Sequence, residues 1–328
     1  RGVMTDSRTV GQLGEMQVLA RILDHLGTSA AEVGPGDDAA VLPLADHRVV
    51  ATTDTLVHGP DFRLAWSSGF DLGWKAAAVN LADVAAMGAR PVALLVALAM
   101  PDDTSMDTVA SLADGLRAAC ETLAPGSRVE GGDLTASDTL TIAVTALGTL
   151  EGREPVRRSG AHAGDVVAVA GEIGPAARGL GLLFQRFRDR DGTPVAVDES
   201  VLDAAERFDL SRQLRPVPPI AAGPAAARAG ATAMMDVSDG LVLDATRLAS
   251  ASGVTIDLRS SAIGGESALS GGEDHALLAT FPPQASRPEG FRVVGRVVPA
   301  GGDAVLIDGQ APRGRGGWDP YADWDAGR

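Results

Sequence analysis

The sequence predicts a two-domain protein of mixed α/β (α+β) type, and three observations lead there. A chain of 328 residues is long enough for two ordinary domains, each with its own core. Apolar residues make up 45% of it, and glycine and proline are spread rather than clustered, which is a globular and not a disordered composition. Stretches of helical period alternate with strand-like apolar runs through both halves, the pattern of layered helices and sheets. The polar stretch Glu151–Arg158 separates the halves, so the expected domains are 1–153 and 154–328.

In chain order, Val10–Leu26 carries apolar residues at helical spacing and stops at Gly27. Ala39–Leu42 and Arg48–Thr53 read as short strands. Phe70–Met87 is an alanine-rich helix ending at Gly88, followed by a strand over 92–99, a helix over 105–123 and strands over 127–131 and 139–149. The second half repeats the mixture: a strand at 165–170, helices near 175–187, 199–212 and 218–229, a strand at 232–236 and a helix at 240–252. Strands near 254–258, 276–281, 291–297 and 303–308 complete it. Arg259–Ser270 is rich in glycine and serine and reads as a loop.

Charge excludes some partners. Forty-three acidic against 28 basic residues give −15, which argues against nucleic acid or an anionic membrane, because both need clustered cations. The longest apolar run, Pro91–Pro101, is too short to span a bilayer. Cys120 is the only cysteine, so neither an intrachain disulfide nor a cysteine-cluster metal site can form; no secretory leader is visible, and a reducing cytoplasm is the expectation. Lys75 is the only lysine and lies in helical context with the wrong glycine spacing, so a phosphate-binding loop of the type G-x-x-x-x-G-K-S/T is excluded. G-x-G-x-x-G after a strand, the protein-kinase signatures and G-x-S-x-G are also missing.

What remains is a series of aspartate-bearing turns beside β-rich runs: Gly36-Asp37-Asp38, Thr52-Thr53-Asp54, Asn80-Leu-Ala-Asp83, Gly131-Gly132-Asp133, Asp236-Val-Ser238-Asp239-Gly240 and Gly271-Gly272-Glu273-Asp274. Glycine lets a ligand approach the backbone, and carboxylates supply hard oxygens of the kind magnesium takes together with water and phosphate. Each turn alone is equally ordinary turn chemistry. Asp83, among alanines, reads either as a ligand or as a solvated helical face, and Ser238 or Asp239 can serve simply as an N-cap.

Taken in order, GDDAAVL, TTDTLV, NLADVAAMGARP, GGD, RSGAHAGD, DVSDGL and SGGEDHALL resemble the thiamine-monophosphate kinase family, within the superfamily of aminoimidazole-ribonucleotide synthetase. The resemblance covers essentially the whole chain. It implies an N-terminal domain for ATP and metal, whose mixed sheet pairs across a homodimer, and a C-terminal α/β domain that completes the nucleotide and substrate cleft. The reaction it implies is ATP-dependent phosphorylation of thiamine monophosphate to thiamine diphosphate with several Mg²⁺ ions.

Carried over position by position, the resemblance makes Asp37, Thr52, Thr53, Asp54, Asp83, Asp133, Asp236 and Asp239 the expected metal ligands. It assigns Gly132, Asp133, Arg158 and Ser238 to ATP, and Asp61, Glu273 and Trp318 to the thiamine end. Arg158 is open to a second reading as an interdomain salt-bridge residue, and Trp318 as a C-terminal packing aromatic. No base or covalent nucleophile is expected. The chain departs from the family pattern at Asp61, Leu134, His275 and Ala276, and 258–271 looks shorter than usual. Selenophosphate synthetase expects an N-terminal cysteine or selenocysteine with a lysine, and the hydrogenase-maturation enzyme a C-terminal cysteine; neither is present. An aminoimidazole-ribonucleotide synthetase-like enzyme and a non-catalytic acidic metal-binding dimer stay as alternatives.

Overall fold

A computed structural model describes residues 8–318 apart from Gly14, 34–41 and Arg315. The predicted ligand Asp37 and most of the strand expected at 39–42 therefore lie outside the described residues. The chain forms two compact units. One comprises Arg1–Leu81, Pro91–Thr149 and Phe187–Val197, and the other Ala82–Arg90, Leu150–Arg186 and Asp198–Arg328. Two segments, 82–90 and 187–197, thus cluster with the unit that their position in the sequence would not suggest.

The first unit begins with helices α1 (Val10–Leu13) and α2 (Glu15–Leu26). Its sheet contains β1 (Val50–Val57), β2 (Arg90–Met100), β3 (Arg128–Ala136) and β4 (Thr141–Thr149) in the order β1-β4-β2-β3. The β1–β4 pair is antiparallel and β2–β3 parallel. On β4, Ile142, Val144 and Ala146 are buried and alternate with half-buried residues, the period of a strand with one covered face. Two helices, α3 (Gly69–Ala86) and α4 (Met106–Leu123), approach each other at backbone distance. A Cβ on Gly73 would lie 2.0 Å from the Leu112 carbonyl oxygen, and one on Gly115 2.1 Å from that of Phe70. Only residues without a side chain permit that contact. The Ser105 hydroxyl caps α4 by accepting from the Thr108 amide at 3.2 Å.

The second unit is a three-layer arrangement. Its six-stranded sheet contains β5 (Val166–Ala170), β6 (Ala233–Val237), β7 (Thr255–Leu258), β8 (Ala276–Phe281), β9 (Phe291–Val298) and β10 (Val305–Ile307), in the order β10-β7-β9-β5-β8-β6. Helix α5 (Pro175–Arg186) packs on α6 (Ala204–Leu214), with Arg178 donating to both oxygens of Asp209 at 2.8 and 2.7 Å. α7 (Ala222–Arg228) lies on one face of the sheet with Ala86, Met234, Leu277 and Phe281. α8 (Leu241–Ser252) and α9 (Glu266–Ser270) lie on the other with Met235, Ile256 and Leu278. Cover on both faces explains why every residue of β6 and β8 is buried. The stretch Arg259–Ser270 is not a plain loop: it holds a 3₁₀ turn at Ser260–Ala262 and then α9. Gly264 and Gly265, both at positive φ, break the chain between them, and the burial of Ala268 anchors α9.

Candidate functional site

In the first unit, β1 is an edge strand that carries the Thr-Thr-Asp series. Strand alternation places Thr52 and Asp54 on one face and Thr53 on the other. There Thr53 Oγ1 donates to the Val144 carbonyl at 2.9 Å and accepts from Thr145 Oγ1 at 3.3 Å. Asp54 is exposed, and its amide donates to Asn80 Oδ1 at 3.1 Å. Asn80 itself is buried on α3, its Nδ2 donating to the Ala76 carbonyl at 2.9 Å, so it ties β1 to the helix. Asp61 is exposed and closes the turn after β1 by accepting from the Val57 amide at 2.7 Å.

Gly132 and Asp133 are exposed on the other edge strand, β3. A bulge between Leu94 and Leu95 of β2 leaves Glu130 of β3 unpaired in the register. Its buried carboxylate accepts from the Ala30 amide at 2.8 Å and from the Ser29 hydroxyl. That fixes the segment leading into the Gly-Asp-Asp series.

In the second unit, three segments predicted separately come together. Asp236 ends β6, and the turn Ser238-Asp239-Gly240 leads into α8. The Glu273 amide donates to the Ser238 carbonyl at 2.8 Å and the His275 amide to that of Val237 at 3.0 Å, so the Gly-Gly-Glu-Asp segment lies along the turn. The Trp318 amide donates to the Asp239 carbonyl at 2.9 Å. Close approach demands the glycines: a Cβ on Gly272 would sit 2.3 Å from the Ser238 oxygen, and one on Gly240 2.7 Å from that of Ser270. Glu273 and His275 have φ of 76 and 54, two of the four non-glycine residues at positive φ among those described. Backbone strain is thus concentrated beside the turn.

The side chains divide by environment. Asp236 is buried and lies 3.2 Å from His275 Nδ1. Asp239 is half-buried, and Asp244 is fully buried in α8. Burial pushes the Asp244 carboxyl up to about 6, against the hydrogen bond from the Asp239 amide and with the help of the Asp236 and Asp239 charges. Asp274 is pushed up to about 6 for the same first reason, although its oxygens accept from Gly174 and Ala176 at the start of α5 at 2.6 and 2.9 Å. Glu273 accepts from Gln213 Nε2 at 3.3 Å, and Trp318 is 45% exposed, leaving its indole face open. Asp83, half-buried on α3, shares a helix side with Ala86, and Asp236 shares a strand face with Met234. Since Ala86 and Met234 belong to one cluster, both aspartates address the same side of this sheet.

Arg158 is not brought to this turn. Its carbonyl accepts from Ser252 Oγ at 2.7 Å at the far end of α8, a helix of 12 residues and about 18 Å. A cavity of about 510 Å³ borders the same Arg-Ser-Gly-Ala turn, lined by Arg157, Ser159, Gly160, Arg228 and Thr232 among others. Among the described residues no group of three or more His, Cys, Asp or Glu side chains is arranged to hold a metal ion. Carboxylates are hard oxygen donors of the kind that magnesium takes together with water and phosphate. Sequence reasoning missed Glu130, Asp244 and Arg247, and it named Asn80 and Asp274 within their motifs without assigning them a role. Asp244 had a legible signal, a carboxylate on the apolar side of a helix between Leu241, Ala245 and Leu248.

Comparison with known proteins adds the following. Residues 36–150 match the family model described as AIR synthase related protein, N-terminal domain. The thiamine-monophosphate kinase of Mycobacterium tuberculosis is 40% identical over 339 aligned residues, spanning 98% of this chain and 96% of that protein. A crystal structure of thiamine-monophosphate kinase from Stenotrophomonas maltophilia superposes with a TM-score of 0.74 at 33% identity, covering 92% of this chain and 98% of that one. The thiamine monophosphate kinase of Aquifex aeolicus, complexed with AMPPCP and TMP, gives 0.72 at 32% identity over 94% and 97%.

Proposed function

The chain belongs to the thiamine-monophosphate kinase family, and from that premise we propose that it transfers the terminal phosphoryl group of ATP to the phosphate of thiamine monophosphate, giving thiamine diphosphate and ADP. The observation that carries the reading is the convergence in the second unit. Asp236, Ser238 and Asp239 share one hydrogen-bonded patch with Glu273 and Trp318, so residues suited to a nucleotide phosphate meet residues suited to an organic cation. An exposed aromatic face and a carboxylate complement a thiazolium.

The chemistry asks little of acids and bases. The attacking atom is an oxygen of a phosphate monoester, whose second pKa is about 6, so it is ionised at neutral pH without help. The obstacle is repulsion between two anions brought in line, and positioning with charge neutralisation overcomes it. Asp54, Asp133, Asp236 and Asp239 would hold magnesium ions, with Asp37, Asp83, Thr52 and Thr53 completing the set. The bound ions supply the positive charge that an acidic chain lacks. Gly132, Asp133, Ser238 and Arg158 would line the nucleotide, and Asp61 would join Glu273 and Trp318 at the thiamine end. The first-unit domain would bind nucleotide and metal and the second complete the cleft.

Homodimerisation through the first-unit sheet is part of the proposal, supported by the exposed edge strand β1. So is a reducing, cytoplasmic setting, which the buried single cysteine suits. Incubation with ATP, Mg²⁺ and thiamine monophosphate, scored chromatographically, should yield thiamine diphosphate. Asp54→Ala should abolish turnover while the far-ultraviolet spectrum stays unchanged. Absence of thiamine diphosphate alongside cyclisation of formylglycinamidine ribonucleotide would overturn the assignment in favour of an aminoimidazole-ribonucleotide synthetase.

A further inference from the structure

Asp244 is 0% exposed, yet one of its oxygens turns back out of the helix it sits in. Oδ2 accepts from two amides that precede the helix, Ser238 at 3.1 Å and Asp239 at 3.0 Å. Oδ1 accepts from Arg247 Nη1 at 2.6 Å, and the same nitrogen donates to Asp239 Oδ2 at 2.5 Å. The helix start has no side-chain cap of its own, because Gly240 stands at the N-cap. The turn is therefore held by one buried carboxylate reaching back from the next turn of α8. One guanidinium nitrogen thus bridges the two carboxylates and holds one oxygen of Asp239.

We propose that Asp244 and Arg247 are positioning residues for Asp239: Asp244 sets the main chain of the turn, and Arg247, locked by Asp244, sets the Asp239 carboxylate where it meets a divalent cation. This rests on Asp239 being a cation ligand, as in the function proposed above. Partners that orient a ligating carboxylate typically change metal affinity by about 10–100-fold when removed. A purely structural ion pair would change stability and leave affinity alone. Removing a nearby positive charge with no positioning role would tighten cation binding. The three possibilities differ in sign and readout.

The test is Mn²⁺ binding to the nucleotide-free, full-length protein, followed by electron paramagnetic resonance and calorimetry. It compares Arg247→Met, Arg247→Lys, Asp244→Asn, Asp239→Asn and Leu248→Ala. The last removes a fully buried side chain of α8 without touching the turn. Arg247→Met and Asp244→Asn should weaken Mn²⁺ binding about 10–100-fold. They should raise the Mg²⁺ concentration for half-maximal turnover by a similar factor, with kcat at saturating Mg²⁺ much less affected. Arg247→Lys should recover part of the loss, and Leu248→Ala should lower the thermal midpoint with Mn²⁺ affinity unchanged. Equal or tighter Mn²⁺ binding in Arg247→Met, with binding lost in Asp239→Asn, would overturn the positioning role and leave the kinase reading standing. Should Asp244→Asn fail to fold, Arg247→Met alone decides. Unchanged binding in Asp239→Asn would instead remove Asp239 as a ligand and the positioning role with it, while the kinase reading stands or falls on thiamine diphosphate formation.

Discussion

The adjacent glycines of the Gly-Gly-Asp strand should respond in opposite ways to the same substitution. Gly132 pairs with Val96 of β2, and a Cβ built on it would lie 1.9 Å from the Val96 carbonyl oxygen and 2.8 Å from its carbon. Those are backbone atoms with no rotamer to yield. To restore an ordinary separation, β2 and β3 must part by more than about 1 Å, which stretches the flanking interstrand hydrogen bonds from about 2.9 Å to beyond bonding range. Losing two such bonds at about 1 kcal/mol each, with overpacking strain of about 1–3 kcal/mol, outweighs the gain of about 0.4–1 kcal/mol from a stiffer unfolded chain. Gly132→Ala should therefore cost about 2–5 kcal/mol. A Cβ on Gly131 meets only Leu95 Cδ2, at 3.3 Å, the far end of a flexible side chain. Gly131→Ala should stay within about 0.5 kcal/mol of wild type. Urea unfolding followed by indole fluorescence reads the difference, since Trp66 and Trp74 belong to the same unit. Equal costs, or a costlier Gly131→Ala, would refute the claim that backbone proximity, and not nucleotide contact alone, demands glycine at 132.

Three further outcomes follow from the same geometry. Because burial raises the folded-state pKa of Asp274 to about 6 from an ordinary 3.8, its contribution to stability is fully present below the unfolded value and is lost as pH rises through about 6. That is worth up to about 3 kcal/mol by pH 7, so the stability gap between wild type and Asp274→Asn, measured by urea unfolding, should shift in favour of the variant between pH 4.5 and pH 7. An unchanged gap would mean that the two amide hydrogen bonds already offset the burial. Asn80→Ala removes a buried amide whose oxygen accepts from the Asp54 amide at 3.1 Å, and should cost about 1–3 kcal/mol by the same assay while raising the Mg²⁺ requirement of turnover. Burial pushes the Cys120 thiol up to about 11, so dithionitrobenzoate at pH 8 should leave the folded protein unlabelled and label one thiol per chain in guanidinium.

Much of the fold was legible in periodicity. The alanine-rich helix expected at Phe70–Met87 runs Gly69–Ala86, and the apolar strand expected at 92–99 runs Arg90–Met100. The misreadings have tertiary causes. β1 reaches Val57, beyond the expected Thr53, because pairing with β4 continues to Thr141. The extra residue at Glu130 is visible only in the register of β2 against β3. The interleaving of 82–90 and 187–197 between units leaves no mark on composition. For the candidate site, the glycine–carboxylate turns were readable because glycine at a close approach and an acid beside it are local features. The anchoring roles of Asn80, Glu130 and Asp274 were not, since their partners lie 26 to 100 residues away and each acts through a main-chain amide.

The aspartates of this chain are not one population. Asp165, Asp244 and Asp274 are buried, and each accepts from main-chain amides, of His162 at 2.9 Å in the first case, with Arg247 added at Asp244 and the Thr232 hydroxyl at Asp165. Their oxygens are met by partners within the protein. Asp54 and Asp133 are exposed, and Asp239 is half-buried with Arg247 bonded to one of its oxygens. Asp236 stands between, buried but facing a histidine. Residue type alone does not tell the two groups apart; burial and hydrogen bonding do, and it is the second that holds the proposed ligands. The separation also resolves the charge problem that an acidic protein meets with anionic substrates. The anchors hold the turns rigid whether or not a cation is present, and only the second group presents carboxylate oxygen to the solvent. On the proposed function, cations held by that group would reverse its field and admit ATP and a phosphate ester, so cation binding and substrate binding should be mutually reinforcing, each tightening the other by the same factor.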